Sequence, residues 1–589
     1  MLGIEIGNEF LDLPPGTVME LEKENPFLQF QDQLLGEYSL PFSVLATAKN
    51  LRLLKYAAVM QQQIANTGID ANIYDKSIQI GSGKIKIEKS SINLNKTSKG
   101  LINCYYLSGT SGFWQDIKDK KLRDINVGGN RSFAWEGLST ITDGFWKHIH
   151  QVAAGAVAAY DYAFYPVINK DWPTEDTNPE IMNMMYYDAM EAFQVRFPSN
   201  YVPINTMHEA NRIVPFPYLK YVLLKAFDYA GWTVSGDILD DPDFVKVTML
   251  SFRAIDWCFV VRSGGSWTQT YRNPVVFDLK DSLPDITIAK FLIALKNRFG
   301  WWYDIDNTAK KITIRNLSAL TNAQPQDMTG NSSPLITKSI VQDKPIYALR
   351  NNFATGIGDG APNFKVINFI GNVDAVTDLP AAAEALYGNV YLVEEENNYY
   401  ICQQNEADTW EWMLYAANIY DYEPEEFTDD ITTDATLVGN EWWSSYLDFI
   451  PRIDNVGEWN GRSIDPSIWG IHLLFYFGQR DNRSGDPVPF ASHHVYDANG
   501  YNLAGWSLAF KGNKTDATEI GLYDLNWKAF LDMISGAEEI EFTLRLPLHK
   551  YLQLKFSDRI NIAGVLLFIK KVRASLPYKG QVQCVAVRV

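Results

Sequence analysis

A chain of 589 residues exceeds what one hydrophobic core supports, and length alone predicts about three to five domains. Hydrophobic residues at 46% and charged residues at 21% exclude a disordered chain, while aromatics at 13% favour β-rich structure and interfaces. A formal charge of -18 argues against wrapping nucleic acid, because such affinity is built from clustered Lys and Arg.

Cys104, Cys258, Cys402 and Cys584 are scattered without a CxxC pair, which supports neither a zinc knuckle nor a disulfide framework and predicts buried thiols. The start "MLGIEIGNEFLDLPPG" has no basic, then apolar, leader pattern, and no run of about 18 uncharged apolar residues occurs. Synthesis and folding in a cytoplasm, with no membrane span, is the expectation.

Residues 1–37 read as an N-terminal arm. From 38 to 125, Ile78, Ile80, Ile85 and Ile87 are spaced two apart within short runs, which places each pair on one strand face and predicts a β-meander. "GFWQDIKDKKLRDI" then has Phe113, Ile117 and Leu122 at helical spacing, a short helix over the meander. Residues 126–211 are irregular and read as an insertion.

Residues 212–355 are the most regular. In "PFPYLKYVLLKAFDYAGWTVSG", Pro217 opens a helix whose stripe is Leu219, Val222, Leu223, Ala226, Phe227 and Ala230; Gly231 stops it and Trp232 begins an extended run. "DITIAKFLIALKNRFGWWYDI" repeats the layout, with Ile288, Phe291, Leu292, Leu295 and Phe299 as the stripe, Gly300 as the stop and Trp301 as the strand start. A third version, "LNWKAFLDMISGAEEIEFTLRLP", places Gly536 between helix and strand. Glycine adopts the left-handed residue that ends a helix without steric cost, and the apolar residue after it packs back on the last turn. Trp301, Tyr303 and Ile305 share one strand face and Trp302 and Asp304 the other, with Ile312 and Ile314 on the partner strand. Gly231, Trp232, Gly300, Trp301, Trp302, Tyr303 and Gly536 therefore read as packing units, with Trp302 the one left at a surface or subunit contact.

Residues 356–425 read as a small inserted β module ending at Trp410 and Trp412, and 426–589 as a C-terminal α+β domain that finishes inside a sheet. The fold class is β-rich, multidomain α+β.

Motifs of known chemistry are weak. "GSGK" at 81–84 lacks the rest of a phosphate loop and reads as a hairpin turn; "GIGDG" at 356–360 lacks a strand-to-helix setting. No GxSxG elbow occurs. His148 and His150 would share a face if "KHIHQ" were a strand, but no third ligand follows, and His493 and His494 point oppositely. The acidic groups Asp237, Asp240, Asp241 and Asp243, Glu394 to Glu396, Glu423 to Asp430, and the "DANG" turn at 497–500 lack calcium-loop spacing and read as solvated charge. No catalytic residue, metal or cofactor is expected.

Read together, "LPFSVLATAKNLRLL", "IQIGSGKIKIEKS" with "GFWQDIKDKKLRDI", "PFPYLKYVLLKAFDYAGWTVSGDILDDPDF", "DITIAKFLIALKNRFGWWYDIDNTAKKITIRN", and the C-terminal "GLYDLNWKAFLDMISGAEEIEF" and "DRINIAGVLLFIKKVRA" resemble the central tail hub proteins of tailed bacteriophages and prophages. The segment from Asp378 to Met413 is similar to β modules inserted in phage tail proteins. The resemblance covers about two thirds of the chain in blocks and leaves 126–211 unmatched. It implies hub β-barrel domains and a homotrimer at the tail tip in the virion, assembled in the bacterial host cytoplasm. It also implies contact with tail-tube or distal tail proteins, a tape-measure protein and a spike or fibre, around a channel that passes DNA without specific binding. An acidic lumen would repel the DNA backbone. Two readings stay beside it: a carbohydrate-binding or carbohydrate-cleaving tail protein, suggested by the tryptophans and 70 acidic residues, and a secreted β-rich surface protein.

Overall fold

A computed structural model describes residues 1–25, 28, 37–56, 68–91, 100–108, 113–114, 117–134, 144–169, 180–183, 185–188, 192–195, 213–263, 266–306, 309–322, 324–339, 347–351, 368–382, 389–395, 398–404, 410–416, 429–433, 435–437, 439–444, 448–453, 463–481, 487–492, 503–508, 510, 520–535 and 538–589. The chain divides into two units, each discontinuous: Met1–Asp119 with Trp302–Pro345 and Ala529–Val589, and Lys120–Trp301 with Ile346–Lys528. The division falls inside one strand, between Trp301 and Trp302.

The first unit is built on a 14-stranded sheet. Its strands include β1 (Leu2–Ile6), β2 (Glu9–Phe10), β3 (Met19–Glu24), β4 (Glu37–Ser39), β5 (Phe42–Leu45), β6 (Ile69–Asp75), β7 (Ile78–Ser91) and β8 (Leu101–Ser108). Farther along come the hairpin strands β9 (Trp301–Asp306) and β10 (Lys311–Asn316), which lie outside this sheet, and then β11 (Ser332–Ser339), β12 (Glu539–Arg545), β13 (Arg559–Ile562), β14 (Val565–Leu576) and β15 (Gln581–Arg588). The path runs β2-β1-β6-β7-β8-β4-β3-β14-β15-β12-β11, with β5 beside β8 and β13 beside β14. Among the described residues the path stays open, so the closed barrel expected from the family resemblance is not formed; two cores pack on the sheet instead. One gathers Ile4, Leu21, Val44, Ile73, Ile85, Ile102, Tyr106 and Leu576, the other Phe542, Leu544, Ile560, Leu567, Val572 and Val582. Strict alternation drives this: β1 buries Leu2, Ile4 and Ile6, and β8 buries Ile102, Cys104 and Tyr106. Burial pushes the Cys104 and Cys584 thiols up to about 12.

Residues 1–37, read as an arm, supply β1, β2 and β3 to the sheet. β3 is the strand that joins its two halves, antiparallel to both β4 and β14. Nor is "GSGK" a turn: it lies within β7, and the β6–β7 turn falls at Lys76, which takes φ +57°. Pairing slips between Ile73 and Tyr74, leaving Ile80 as an extra residue, so Ile80 and Ile85 both reach the core although an odd spacing separates them. Gly83 marks the tightest strand approach, since a Cβ there would stand 2.0 Å from the Leu107 carbonyl oxygen. Gly83→Ala is therefore expected to force β7 from β8 and cost about 1–3 kcal/mol, measured by chemical denaturation.

In the second unit, β structure is dispersed over short sheets. Val167–Asn169 pairs with Glu180–Met182 and, in parallel, with Asp448–Ile453, so the segment read as an irregular insertion is part of this unit's sheet framework. Asn368–Val373, Asn389–Val393, Asn398–Gln404 and Trp410–Ala416 form a four-stranded sheet of their own, in which the Trp412 indole donates to the Pro380 carbonyl at 2.7 Å. A core of Tyr165, Phe216, Leu250, Phe252, Trp469 and Tyr476 lies elsewhere in the unit.

Candidate functional site

Three helices of the second unit position the sequence candidates: α1 (Gly144–Ala154), α2 (Leu219–Ala230) and α3 (Ile288–Phe299). α2 starts after Tyr218, so Pro217 stands before the cap and belongs to a two-residue strand. Its end is a complete left-handed cap: Gly231 takes φ +79°, its N–H donates to Asp228 O, and the Trp232 N–H donates to Phe227 O. α3 starts at Thr287, whose hydroxyl accepts the Lys290 N–H at 3.2 Å. It ends at Gly300, φ +64°, with one bond from the Gly300 N–H to Lys296 O. Gly536 lies outside the described residues.

The two caps differ in their surroundings. A Cβ on Gly231 would meet nothing, whereas one on Gly300 would lie 2.9 Å from Trp527 Nε1 and 3.0 Å from Asn526 Cβ. Gly231→Ala is expected to cost about 1–2 kcal/mol from left-handed strain alone, and Gly300→Ala more, because contact adds to strain; thermal unfolding of the two variants checks the order.

The aromatics after these caps are interior. Trp232 is 8% exposed, Trp301 0%, Trp302 4% and Tyr303 7%. Trp301 stacks on Phe299 at 4.6 Å and meets Phe244 edge-on at 5.3 Å. Trp302 carries the Arg315 guanidinium over its ring at 5.8 Å, and Tyr303 lies 5.9 Å from Trp114. Trp302 is thus not the residue left at a surface: both strand faces are covered, not one. Burial raises the Tyr303 phenol above its ordinary value. From Phe291 to Phe299 α3 is buried all round, including Lys296 and Arg298 on the two flanks of its apolar stripe, while Lys290 is exposed. Desolvation lowers the Lys296 ammonium to about 7 and the Arg298 guanidinium to about 9, the latter lying over Phe510 at 4.5 Å.

"KHIHQ" is helical, within α1, so His148 and His150 do not share a face as they would in a strand. His148 Nε2 lies 2.5 Å from the Tyr162 hydroxyl and its ring stacks on Phe133; burial, then the Arg131 charge, lowers it to about 4. Asp241 and Asp243 work as local acceptors: Asp241 takes the N–H of Asp243 and Phe244, and Asp243 takes Lys246 Nζ and the Gly505 N–H, both at 2.7 Å. Glu394 and Glu395 are exposed, as are Asp237 and Asp240. Among the described residues no group of three or more His, Cys, Asp or Glu could hold a metal ion, and no helix is long and apolar enough to cross a membrane. "GIGDG", Glu396, His493, His494, "DANG" and residues 423–428 lie outside the described residues.

One polar centre in the first unit had no signature in the sequence. Glu22, 2% exposed, is directly opposite Tyr38 of β4 on one side and Arg573 of β14 on the other. Its carboxylate accepts the Tyr38 hydroxyl, Arg573 Nε at 2.8 Å and Nη2 at 2.5 Å, and pairs with Lys571 at 2.5 Å. Burial alone would raise this carboxyl; hydrogen bonds from Lys571, Tyr38 and Arg573 outweigh it and hold it below the ordinary value of 4.5. The partners come from positions up to 551 residues away, so only the sheet brings them together.

No family model matches the sequence, and neither does any curated protein. Among solved structures, the prophage MuSo2 43 kDa tail protein from Shewanella oneidensis is similar at 7% identity and a TM-score of 0.32, over 100% of this chain and 96% of that one. A tail protein from Neisseria meningitidis MC58 is similar at 7% identity and a TM-score of 0.25, over 100% and 95%. At those values the likenesses carry no argument about function, which has to be drawn from the residues themselves.

Proposed function

We propose that this chain is a non-catalytic structural component of a bacteriophage tail, acting as the central hub at the tail tip. In that role it is a homotrimer that joins the tail tube, the distal tail and tape-measure proteins to a spike or fibre and passes DNA without binding it. The observation that carries the reading is the burial of Trp232, Trp301, Trp302 and Tyr303 after glycine-capped helices. These are the blocks on which the hub resemblance rests most, and their rings are spent on packing. The carbohydrate reading needs a tryptophan face exposed beside paired acids, and Trp232 and Trp301 offer none.

Charge supports a passage for DNA. The first unit has 25 Lys and Arg against 22 Asp and Glu, net +3; the second has 27 against 48, net -21. Acidic groups of the second unit facing a lumen would keep the DNA backbone off the wall. Imaging tailed particles with the chain tagged, together with light scattering of the purified chain, tests the reading. A trimer at the tail tip is the expected result; a monomer absent from particles would remove it.

A further inference from the structure

We propose that His148 is an acid-sensitive latch: as a neutral ring it holds α1 against the strands that carry Phe133 and Tyr162, and on gaining a proton it lets them part. The latch lies within the second unit and does not depend on the oligomeric state of the chain. The His148 ring stacks on Phe133 at 4.2 Å and meets Tyr160 edge-on at 5.6 Å, and its Nε2 lies 2.5 Å from the Tyr162 hydroxyl. Phe133 sits on Asn130–Phe133, paired with Val275–Asp278, and Tyr162 on Tyr162–Ala163, paired with Phe216–Pro217. One imidazole thus ties α1 to two separate strand pairs.

The Tyr162 hydroxyl selects the neutral form. Tyr162 is buried, its ring is met edge-on by Phe164 and Phe277, and among the described residues His148 is the one hydrogen-bond partner of its hydroxyl. With His148 neutral, the hydroxyl donates to a bare Nε2 and both groups are satisfied. A proton on Nε2 turns that nitrogen into a donor. The hydroxyl proton then has to turn toward aromatic walls, which leaves a buried donor without an acceptor.

Charge acts in the same direction. The Arg131 guanidinium lies over the Tyr162 ring at 4.8 Å, so a charged His148 is a second cation beside that ring. The charged or titratable groups on the flanking segments are Arg131, Tyr160, Asp161, Tyr162 and Asp278. Asp161 already accepts from Arg131 Nη2 at 2.6 Å, and Asp278 pairs with Lys280. On α1 itself stand Lys147 and His150, the latter lowered by burial as well. Because burial and Arg131 lower His148 from 6.5 to about 4, its contribution to stability is complete above about pH 6.5 and is lost as pH falls toward 4.

Hydrogen exchange read by mass spectrometry on the full chain tests the latch, with backbone rates over 144–154 corrected for intrinsic exchange and imidazole C2 exchange reporting the His148 titration itself. Opening of α1 in the wild type is expected to rise about tenfold as pH falls through the window, less than the full shift would give because the ring is only half-buried. His148→Gln cannot titrate there and is expected to keep only the smaller rise due to His150. Tyr162→Phe is expected to move the His148 midpoint upward, since Nε2 loses its donor while the wall of rings stays. A His148 midpoint at its ordinary value, or wild type and His148→Gln opening in parallel, overturns the latch. Should His148→Gln fail to fold, the midpoints of wild type and Tyr162→Phe decide alone, and a midpoint that stays or falls in Tyr162→Phe overturns it.

Discussion

Trp301→Ala is expected to lower the stability of the chain by about 3–5 kcal/mol, the range for truncating a large buried aromatic. The ring is fully buried, stacked on Phe299 and met edge-on by Phe244. Truncation therefore leaves a cavity lined by two rings that α3 and the segment around Phe244 hold in place. Trp301→Phe, which keeps part of the stack, is expected to lose much less. Urea denaturation followed by circular dichroism measures both. A Trp301→Ala chain as stable as wild type would show that the ring is not a packing element and would reopen its role in binding.

Glu22→Gln is the second large effect. The substitution keeps the shape and removes the charge that Lys571 and Arg573 face, with an expected cost of about 2 kcal/mol. Both cations are about a third exposed, so solvent screens part of the loss and the figure sits below that of a fully enclosed pair. The pH dependence has a definite sign. The carboxyl is held below 4.5, so its contribution is fully present above that value and is lost as pH falls through the lower, folded value. Wild type should therefore lose stability on acidification below about pH 4.5 more steeply than Glu22→Gln. Denaturation midpoints of both chains from pH 7 down to pH 3 check this, and parallel curves would refute it. Because β3 joins the two halves of the sheet, hydrogen exchange in β4 and β14 should rise first in the variant.

Much of the local structure was legible in the sequence, and the reason is that it depends on near neighbours. The stripe from Leu219 to Phe227 and the one from Ile288 to Phe299 are helices, and Gly231 and Gly300 are left-handed residues at their ends. Ile78, Ile80, Ile85 and Ile87, read as pairs on separate short strands, all lie in the one strand β7, where the slipped pairing buries Ile80 and leaves Ile78 exposed. Boundaries and turns were less legible. "GSGK" carries the composition of a turn but lies in a strand, because close approach of Leu107 demands glycine as strongly as a turn does. "KHIHQ" is helical although the spacing of its histidines suits a strand, since one pair of polar residues does not set the period of a segment.

What lay beyond the sequence is whatever depends on distant segments meeting. Trp302 faces away from its neighbours Trp301 and Tyr303 along the strand, and alternation leaves one such face for solvent; the tertiary structure covers both. Lys296 and Arg298, one on each flank of the α3 stripe, are enclosed as well, which no helical periodicity announces. Glu22 reads as one carboxylate among many in "MELEKE" until β4 and β14 flank it. Helix stripes and their glycine caps follow from the order of residues alone, because they are set within a turn or two, and the total charge follows from composition. Which rings are enclosed, which carboxylate is clamped and how the charge divides between the units come from the folded chain, because burial and pairing are properties of segments brought together across hundreds of residues.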